Sequence, residues 1–291
     1  MLDPRLQTFL VLCDTMSYTR AAKQLCLTQP AVTQHVHYLE KHYGCKLVSY
    51  QGKVLRLTPA GERLREMVRS LSYNSHKMEE ALASPRPAVL HIGATKTIGE
   101  YEVGPDLGRL LREYPECTVS LTVDNTKALL EALDRGTLDF ALIEGFFDKA
   151  RYGHRLYRRE EFFGVCAPGH PAAGRELSLD GLLAENLIVR EKGSGTRAIL
   201  EEWLHFHNHT VESFARVTEI SDFSLIKSLV RQGLGISFLY APVVEQELKE
   251  GSLCRLSLGA SPVVHEFSLV YLPDNLFIDR WSGWLSGLSD Q

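Results

Sequence analysis

A chain of 291 residues is long enough for two or three small domains with a sizeable core. Its 44% hydrophobic and 23% charged residues are ordinary for a water-soluble protein, and no apolar run approaches membrane-spanning length. The N-terminus lacks a charged-then-apolar secretion pattern, so a cytoplasmic location with no membrane partner is expected. The net charge of −4 is unevenly placed: residues 1–65 carry nine Lys/Arg against four Asp/Glu, a net +5, leaving −9 for the remainder. A basic end on an acidic body suggests that this end alone meets a polyanion. The six cysteines (Cys13, Cys26, Cys45, Cys117, Cys166 and Cys254) are dispersed without a C-x-x-C pair, which speaks against zinc or thiol exchange.

Leu2, Leu6, Phe9, Leu10 and Cys13 predict an amphipathic first helix. Ser17 then caps a short helix through Leu25, Cys26-Leu27 breaks the pattern, and Thr28 caps a second helix with Pro30 in its first turn. In that helix Val32, Val36 and Leu39 form a buried stripe, leaving Pro30, Thr33, Gln34 and His37 facing outward. A helix-turn-helix presents such a face to the DNA major groove; the plainer reading is a helical hairpin in an ordinary α domain. Gly44 ends the helix, and Val48 to Thr58 reads as a β-hairpin about a Gln-Gly turn, with Lys53 and Arg56 placed to meet phosphates as a wing.

Thr58-Pro59 starts a long helix, with Ala60, Leu64, Met67/Val68, Leu71, Met78 and Leu82 at helical spacing until Ser84-Pro85-Arg86-Pro87 stops it. A narrow apolar stripe on a helix between domains is best stabilised by a second copy, the alternative being a helix lying on its own domain. From Pro87 strands and helices alternate. Strands are expected at Val89–Gly93, Thr118–Val123 and Asp139–Ile143, with Asn125 capping an intervening helix, which implies a parallel sheet. A second set follows at Phe162–Cys166, Leu187–Arg190, Arg216–Ile220 and Ile236–Leu239, with helices after Gly193-Ser194-Gly195 and after Ser221 as cap. His265–Leu272 is a last strand, followed by a helix from Trp281 to Leu288. Two α/β units joined by crossings near Glu160 and Val264 make a hinged pair with a cleft.

Phe9, SYTRAAKQLCLTQPAVTQHVHYLE, LRLTPAG at Leu55 to Gly61, IGATKTIG, LDFALIEG, REKGSGTR and GLGISFL occur in order over nearly the full length. In these blocks the chain resembles the LysR-type family of bacterial transcriptional regulators. The resemblance implies an α+β multidomain chain: a winged helix-turn-helix over 1–58, a linker helix over 59–86 that dimerises, and a two-lobed effector domain over 87–291, similar to periplasmic binding proteins. The expected lobes are 87–160 with 265–291, and 161–264. It also implies a homotetramer on double-stranded operator DNA, a small effector between the lobes, and contact with RNA polymerase if the protein activates transcription. The DNA-contacting set is expected to be Ser17, Thr19, Arg20, Thr28, Gln29, Pro30, Thr33, Gln34, His37, Lys53 and Arg56. Gln34 stands where many relatives have Arg, and the wing begins Val48-Ser49-Tyr50 where Phe-Glu-Arg is common. Few fixed cations predict a shallow salt dependence, and Gln34 predicts an adenine-reading half-site.

Ligands of open α/β sheets bind at strand C-termini. The expected effector-binding residues are Thr95, Lys96, Thr97, Asn125, Thr126, Ser194, Gly195, Thr196, Arg197 and Ser221; the family places effectors at positions matching Thr95, Thr97, Asn125, Ser194 and Thr196. Lys96 and Arg197 near helix N-termini suit a small anion such as a carboxylate, phosphate or sulfur oxyanion, although Arg197 can instead pair with Glu201 one turn on. Glu144 and Glu219 would oppose an anion or bind an amine. No catalytic site is expected: Gly233-Leu234-Gly235 lacks the third glycine of a dinucleotide turn, no P-loop occurs, and Ser194 lies in no nucleophile elbow. His205 and His209 share a helical face but have no further metal ligand in reach, so neither metal nor cofactor is expected. Two alternatives remain: a cysteine-based redox-sensing regulator, against which Cys166 and Cys254 read singly as packing, and a small-molecule-binding protein whose N-terminal domain only dimerises.

Overall fold

The computed structural model describes residues 2–83, 89–258 and 263–285. Asp3 caps α1 (Pro4–Thr15), whose Phe9, Leu12 and Cys13 are buried; Leu2 lies before the helix and Leu10 is only partly covered. Ser17 caps α2 (Tyr18–Gln24) by accepting from the Arg20 N–H, and Thr28 caps α3 (Gln29–Tyr43) by accepting from Ala31. Cys26 takes a left-handed conformation between them, which makes the connection tight. Val32, Val36 and Leu39 of α3 are buried against α1 and α2, and Gly44 closes the helix at φ 68°. β1 (Val48–Gln51) and β2 (Val54–Leu57) pair antiparallel. The central turn residues are Gly52 and Lys53 rather than Gln51 and Gly52, because Gln51 pairs with Val54. Lys53 is therefore at the tip of the wing, and Arg56 is on its exposed side.

α4 (Pro59–Ala83) starts on Thr58, whose hydroxyl accepts from the Gly61 N–H at 3.0 Å. A Cβ on Gly61 would sit 2.0 Å from the Leu47 carbonyl oxygen, so only glycine lets α4 lie this close to the DNA-binding domain. The expected stripe divides into two faces. Ala60, Leu64 and Val68 turn inward, while Met67 (65% exposed), Leu71 (53%), Met78 (55%) and Leu82 (84%) face outward. A further face, not foreseen from the sequence, ties α4 to the C-terminal half: the Tyr73 hydroxyl donates to Asp139 Oδ1 at 2.6 Å and Lys77 Nζ lies 2.8 Å from the same oxygen. Arg69 bridges Asp14 of α1 (2.8 Å) and Asp134 (3.0 Å). The expected stop at Ser84–Pro87 lies outside the described residues.

The C-terminal half is built on one curled, seven-stranded sheet. β3 (Val89–Ala94) pairs in parallel with β4 (Thr118–Val123) and β5 (Phe140–Ile143). A π-helical turn (Ile98–Glu102) and α5 (Gly104–Glu113) connect β3 to β4; α6 (Thr126–Asp134), capped by Asn125, connects β4 to β5. The sheet is not purely parallel. β6 (Gly153–Cys166) is a single 14-residue strand, much longer than the expected Phe162–Cys166. Beyond the second lobe's elements, β11 (Val263–Tyr271) pairs antiparallel with both β5 and β6. Glu160 lies opposite His265, so the chain passes between the lobes on two hydrogen-bonded neighbouring strands.

In the second lobe, β7 (Asn186–Val189) leads to α7 (Gly195–Phe206), and β8 (Arg216–Glu219) pairs parallel with β7. α8 (Phe223–Arg231) is capped by the Asp222 side chain, not by Ser221. β9 (Ser237–Tyr240) pairs with β6 and feeds α9 (Ala241–Lys249), an unforeseen helix, before the short β10 (Cys254–Arg255). α10 (Ile278–Ser282) begins ahead of the expected Trp281–Leu288 helix, whose last residues lie outside the described residues. No helix among the described residues is long and apolar enough to cross a membrane.

Candidate functional site

The residues expected to face DNA lie on the outer side of α3, the N-terminal ends of α2 and α3, and the wing. Thr19, Arg20, Thr28, Gln29, Pro30, Gln34, His37, Lys53 and Arg56 are exposed, and Ser17 and Thr33 are partly so. Several are already engaged. Arg20 Nη2 donates to the Thr15 carbonyl at 2.5 Å, and the Gln29 amide donates to the Thr33 hydroxyl at 3.1 Å. His37 Nδ1 lies 3.4 Å from Glu40, whose carboxylate is also held by Lys46 at 2.7 Å and the Leu47 N–H at 3.0 Å. Glu40 thereby fixes α3 to the segment before the wing. Tyr38, outside the expected DNA-contacting set, is exposed on the same helix and carries the Arg5 guanidinium 3.6 Å over its ring.

The second site lies where β3, β4 and β5 end against the second lobe. A cavity of about 230 Å3 is lined by Thr95, Lys96, Val123, Asp124, Asn125, Glu144, Arg190, Glu191, Ser194 and Gly195. Of the expected effector residues, Thr95, Lys96, Asn125, Ser194 and Gly195 meet here. Thr97 and Thr196 are fully buried behind the wall: their hydroxyls are 3.4 Å apart, and Thr196 donates to Glu144 Oε1 at 3.0 Å. Thr126, with Ser194, Gly195 and Arg197, lines a wider neighbouring cavity of about 470 Å3. Ser221 contributes its carbonyl, to which Lys96 Nζ donates at 2.6 Å, bridging the lobes.

Arg197 departs from the expected role. Its Nε donates to Glu201 at 2.7 Å, and its Nη1 donates to Glu219 at 2.5 Å and to the Arg190 carbonyl at 3.1 Å. Burial works against its charge, yet the two carboxylates hold its pKa above the ordinary value. Itself buried, it is held by two half-exposed carboxylates and does not line the first cavity. Arg190 stands there in its place. Its Nε and Nη2 are held by Glu191 at 2.8 and 2.9 Å and the Phe223 ring lies 4.2 Å from its guanidinium carbon, while its buried Nη1 has no partner among the described residues.

Three other buried polar atoms about the cleft also lack partners among the described residues: Glu144 Oε2, Ser194 Oγ and Thr126 Oγ1. Ser194 occupies the N-cap position of α7 without capping it, which leaves its hydroxyl for another acceptor or donor. Burial pushes the Glu144 carboxyl above its usual range, with the Thr97 and Thr196 hydroxyls and the Arg190 charge pulling the other way. Buried polar groups in proteins are nearly always satisfied, so three orphaned atoms on residues lining the first cavity, those of Glu144, Arg190 and Ser194, are unusual, and Thr126 carries a fourth on the neighbouring cavity. Arg190 was missed because it reads locally as the polar end of an apolar strand; Glu144, expected only to oppose an anion or bind an amine, ends a strand in the same way. Their convergence requires β5 and β7 to be brought together across the cleft.

Cys166 and Cys254, each solitary in the sequence, lie directly opposite one another on β6 and β10. Burial pushes the Cys166 thiol up to about 11, with Cys254 adding to the shift; this is the reverse of the thiolate character that peroxide chemistry needs. Of the histidine run, His207 Nδ1 lies 2.8 Å from the Trp203 carbonyl, and His209 lies 3.1 Å from Asp180.

Residues 4–62 match the bacterial regulatory helix-turn-helix protein family of LysR type, and residues 84–277 match the LysR substrate binding domain. The chain is 28% identical to the HTH-type transcriptional regulator CysL of Bacillus subtilis over 272 residues, 92% of this chain and 90% of that one. Among solved structures, full-length LysG from Corynebacterium glutamicum with bound effector Arg superposes with a TM-score of 0.69 at 19% identity, covering 98% of this chain and 96% of that one. The CcmR regulatory domain of Synechocystis PCC6803, in complex with 2-PG, gives a TM-score of 0.60 at 22% identity over 68% of this chain and 98% of that one. With a capped helix-turn-helix and wing at one end, a cleft between two lobes at the other, and family matches spanning both, the chain belongs to the LysR family of transcriptional regulators.

Proposed function

We propose that this regulator binds operator DNA through α2, α3 and the wing, and that a small anion held between its lobes controls operator binding or activation. The observation that carries the ligand site is the interlobe cavity with Arg190 Nη1, Ser194 Oγ and Glu144 Oε2 buried and unpartnered on its wall. A carboxylate, phosphate or sulfur oxyanion accepts from the first two and from Lys96, which supports an anionic guest. The CcmR domain solved with 2-PG is a structural relative that holds such a molecule. We assign Thr95, Lys96, Asn125, Arg190, Ser194 and Gly195 to direct contact, with Thr97, Thr126 and Thr196 behind them.

The domain division we favour is 1–58 for DNA binding, 59–86 for the linker and 87–291 for the effector domain. The exposed Met67, Leu71, Met78 and Leu82 suit a second copy of α4, and a dimer of such dimers gives a homotetramer on double-stranded DNA. A cytoplasmic protein without a catalytic centre or cofactor, touching RNA polymerase when it activates, completes the reading. The test is a mobility shift on DNA upstream of its own gene, paired with thermal-shift screening of small anions, since a cleft ligand stabilises the native state by mass action. Failure to shift that DNA at low salt, with anions stabilising the protein, would instead favour a ligand-binding protein whose N-terminal domain only dimerises.

A further inference from the structure

We propose that Glu144 makes the interlobe cavity selective for small oxyanions that carry their own O–H, such as hydrogen phosphate, over bare oxyanions such as sulfate. The inference rests on the anion reading of the cleft and narrows it. Residues that line the cavity carry two kinds of unsatisfied polar group, donors and an acceptor. Arg190 is fixed in plane by Glu191 and Phe223 and carries a donor, Nη1, that no group among the described residues accepts. Ser194 holds a buried hydroxyl at the start of α7 with no partner. These suit anionic oxygens.

Glu144 suits the opposite. Its Oε1 is used by Thr196, and its Oε2, on a residue only 1% exposed, accepts from nothing among the described residues. The other acids of the wall are engaged: Glu191 by Arg190, and Asp124 by the Asn125 N–H at 2.7 Å. An ionised carboxylate is acceptor-only, so a ligand oxygen brought against Oε2 must either carry a proton or leave two charged oxygens facing without one. A site with a buried acceptor rejects the analogue that lacks the donor far more strongly than an apolar pocket rejects a missing methylene. Gly195 adds to this: a Cβ there would lie 2.8 Å from Glu144 Cγ, so the α7 terminus packs on Glu144 and holds it in place.

The test is calorimetric titration of the full chain with inorganic phosphate and with sulfate at matched ionic strength and mildly alkaline pH. The wild type is expected to bind phosphate at least about 100-fold more tightly than sulfate. Glu144→Gln, which exchanges the orphaned acceptor for an amide able to donate, is expected to reduce the preference to below about tenfold or invert it. Arg190→Gln is expected to weaken both anions, and this arm addresses the cleft itself. Phosphate and sulfate binding alike to the wild type, with both weakened by Arg190→Gln, would overturn the Glu144 assignment and leave the cleft standing. Indifference of both anions to Arg190→Gln would overturn the cleft reading and the proposal with it. Binding of neither anion at millimolar concentration, or of glycine in preference to phosphate, would overturn the O–H requirement. The wild-type comparison needs no variant and so decides the matter even if one fails to fold.

Discussion

Replacing Asp139 by alanine should loosen the helix that carries the DNA-binding domain from the effector domain. Asp139 sits just before β5 and is 2% exposed. Three groups converge on its carboxylate: the Tyr73 hydroxyl at 2.6 Å and Lys77 Nζ at 2.8 Å from α4, and the His91 N–H of β3 at 2.7 Å. The contact is reinforced nearby by Asn74, whose amide donates to the Asp274 carbonyl at 2.9 Å and whose Oδ1 accepts from the Leu276 N–H at 3.2 Å. Removing one partner of a buried charged pair costs about 3–5 kcal/mol. Lys77 keeps Glu80 at 3.2 Å, so its charge is not stranded, and the lower end, about 3 kcal/mol, is expected. At about 2–4 °C per kcal/mol for a domain of this size, the melting temperature should fall by about 6–12 °C. Scanning calorimetry of the full chain measures this, and Tyr73→Phe, which deletes a single donor to a charged acceptor, should cost about 1.5 kcal/mol. A loss below about 1 kcal/mol for Asp139→Ala, the scale of a surface ion pair, would refute the view that this carboxylate fastens the linker to the lobe.

Gly195→Ala places a Cβ 2.8 Å from Glu144 Cγ and 3.2 Å from Gly145 Cα, which should destabilise the chain by about 1–3 kcal/mol and weaken anion binding by forcing the lobes apart; unchanged melting and affinity would show that the wall yields. Because burial raises the Glu144 pKa, the folded state holds this proton more tightly than the unfolded chain. Its stability contribution is therefore complete below the ordinary carboxylate value and lost as pH rises through the folded pKa. Relative to Glu144→Gln, wild-type melting should fall with rising pH across that window, and parallel pH profiles would contradict the assignment. Charging the outer stripe with Met67→Glu and Leu71→Glu should yield monomers by analytical ultracentrifugation, whereas an unchanged oligomer would move the dimer interface elsewhere. In a binding-site selection, Gln34→Ala should relax an adenine preference by about 1–3 kcal/mol at one position; an unaltered selected sequence would remove Gln34 from base reading.

The elements that were legible beforehand are those whose signals are local. Ser17, Thr28 and Asn125 accept the capping hydrogen bonds expected of them, and Val32, Val36 and Leu39 point inward as their spacing requires. The first half of β6 was not legible, because His154, Arg155, Arg158, Arg159 and Glu160 do not look like strand residues. They are tolerated because their partners come from distant segments: Arg158 reaches Glu102 at 2.5 Å and Asp106 at 3.1 Å, and Arg155 reaches Asp279 at 2.5 Å. The same holds for Asp139, an ordinary acid in sequence that becomes the anchor of α4.

In the cleft, the loops were identifiable from residue type and strand order, but the division of labour within them was not. Arg190 and Arg197 are equally basic and seven residues apart, and periodicity cannot say which one a carboxylate will claim. Packing decided it. Arg197 lies within reach of Glu201 and Glu219 and is consumed by them, whereas Glu191 takes only one edge of Arg190 and leaves Nη1 without a partner. The sequence by itself determined the caps at Ser17, Thr28 and Asn125, the basic N-terminal end and most of the strand and helix order, since these depend on neighbours a few residues away, whereas the Asp222 cap of α8 and the helix α9 were not foreseen. Which charges cancel, which buried oxygen lacks a donor, and which face of α4 meets its own lobe were decided by tertiary structure alone, because each depends on groups that only folding brings within hydrogen-bonding distance.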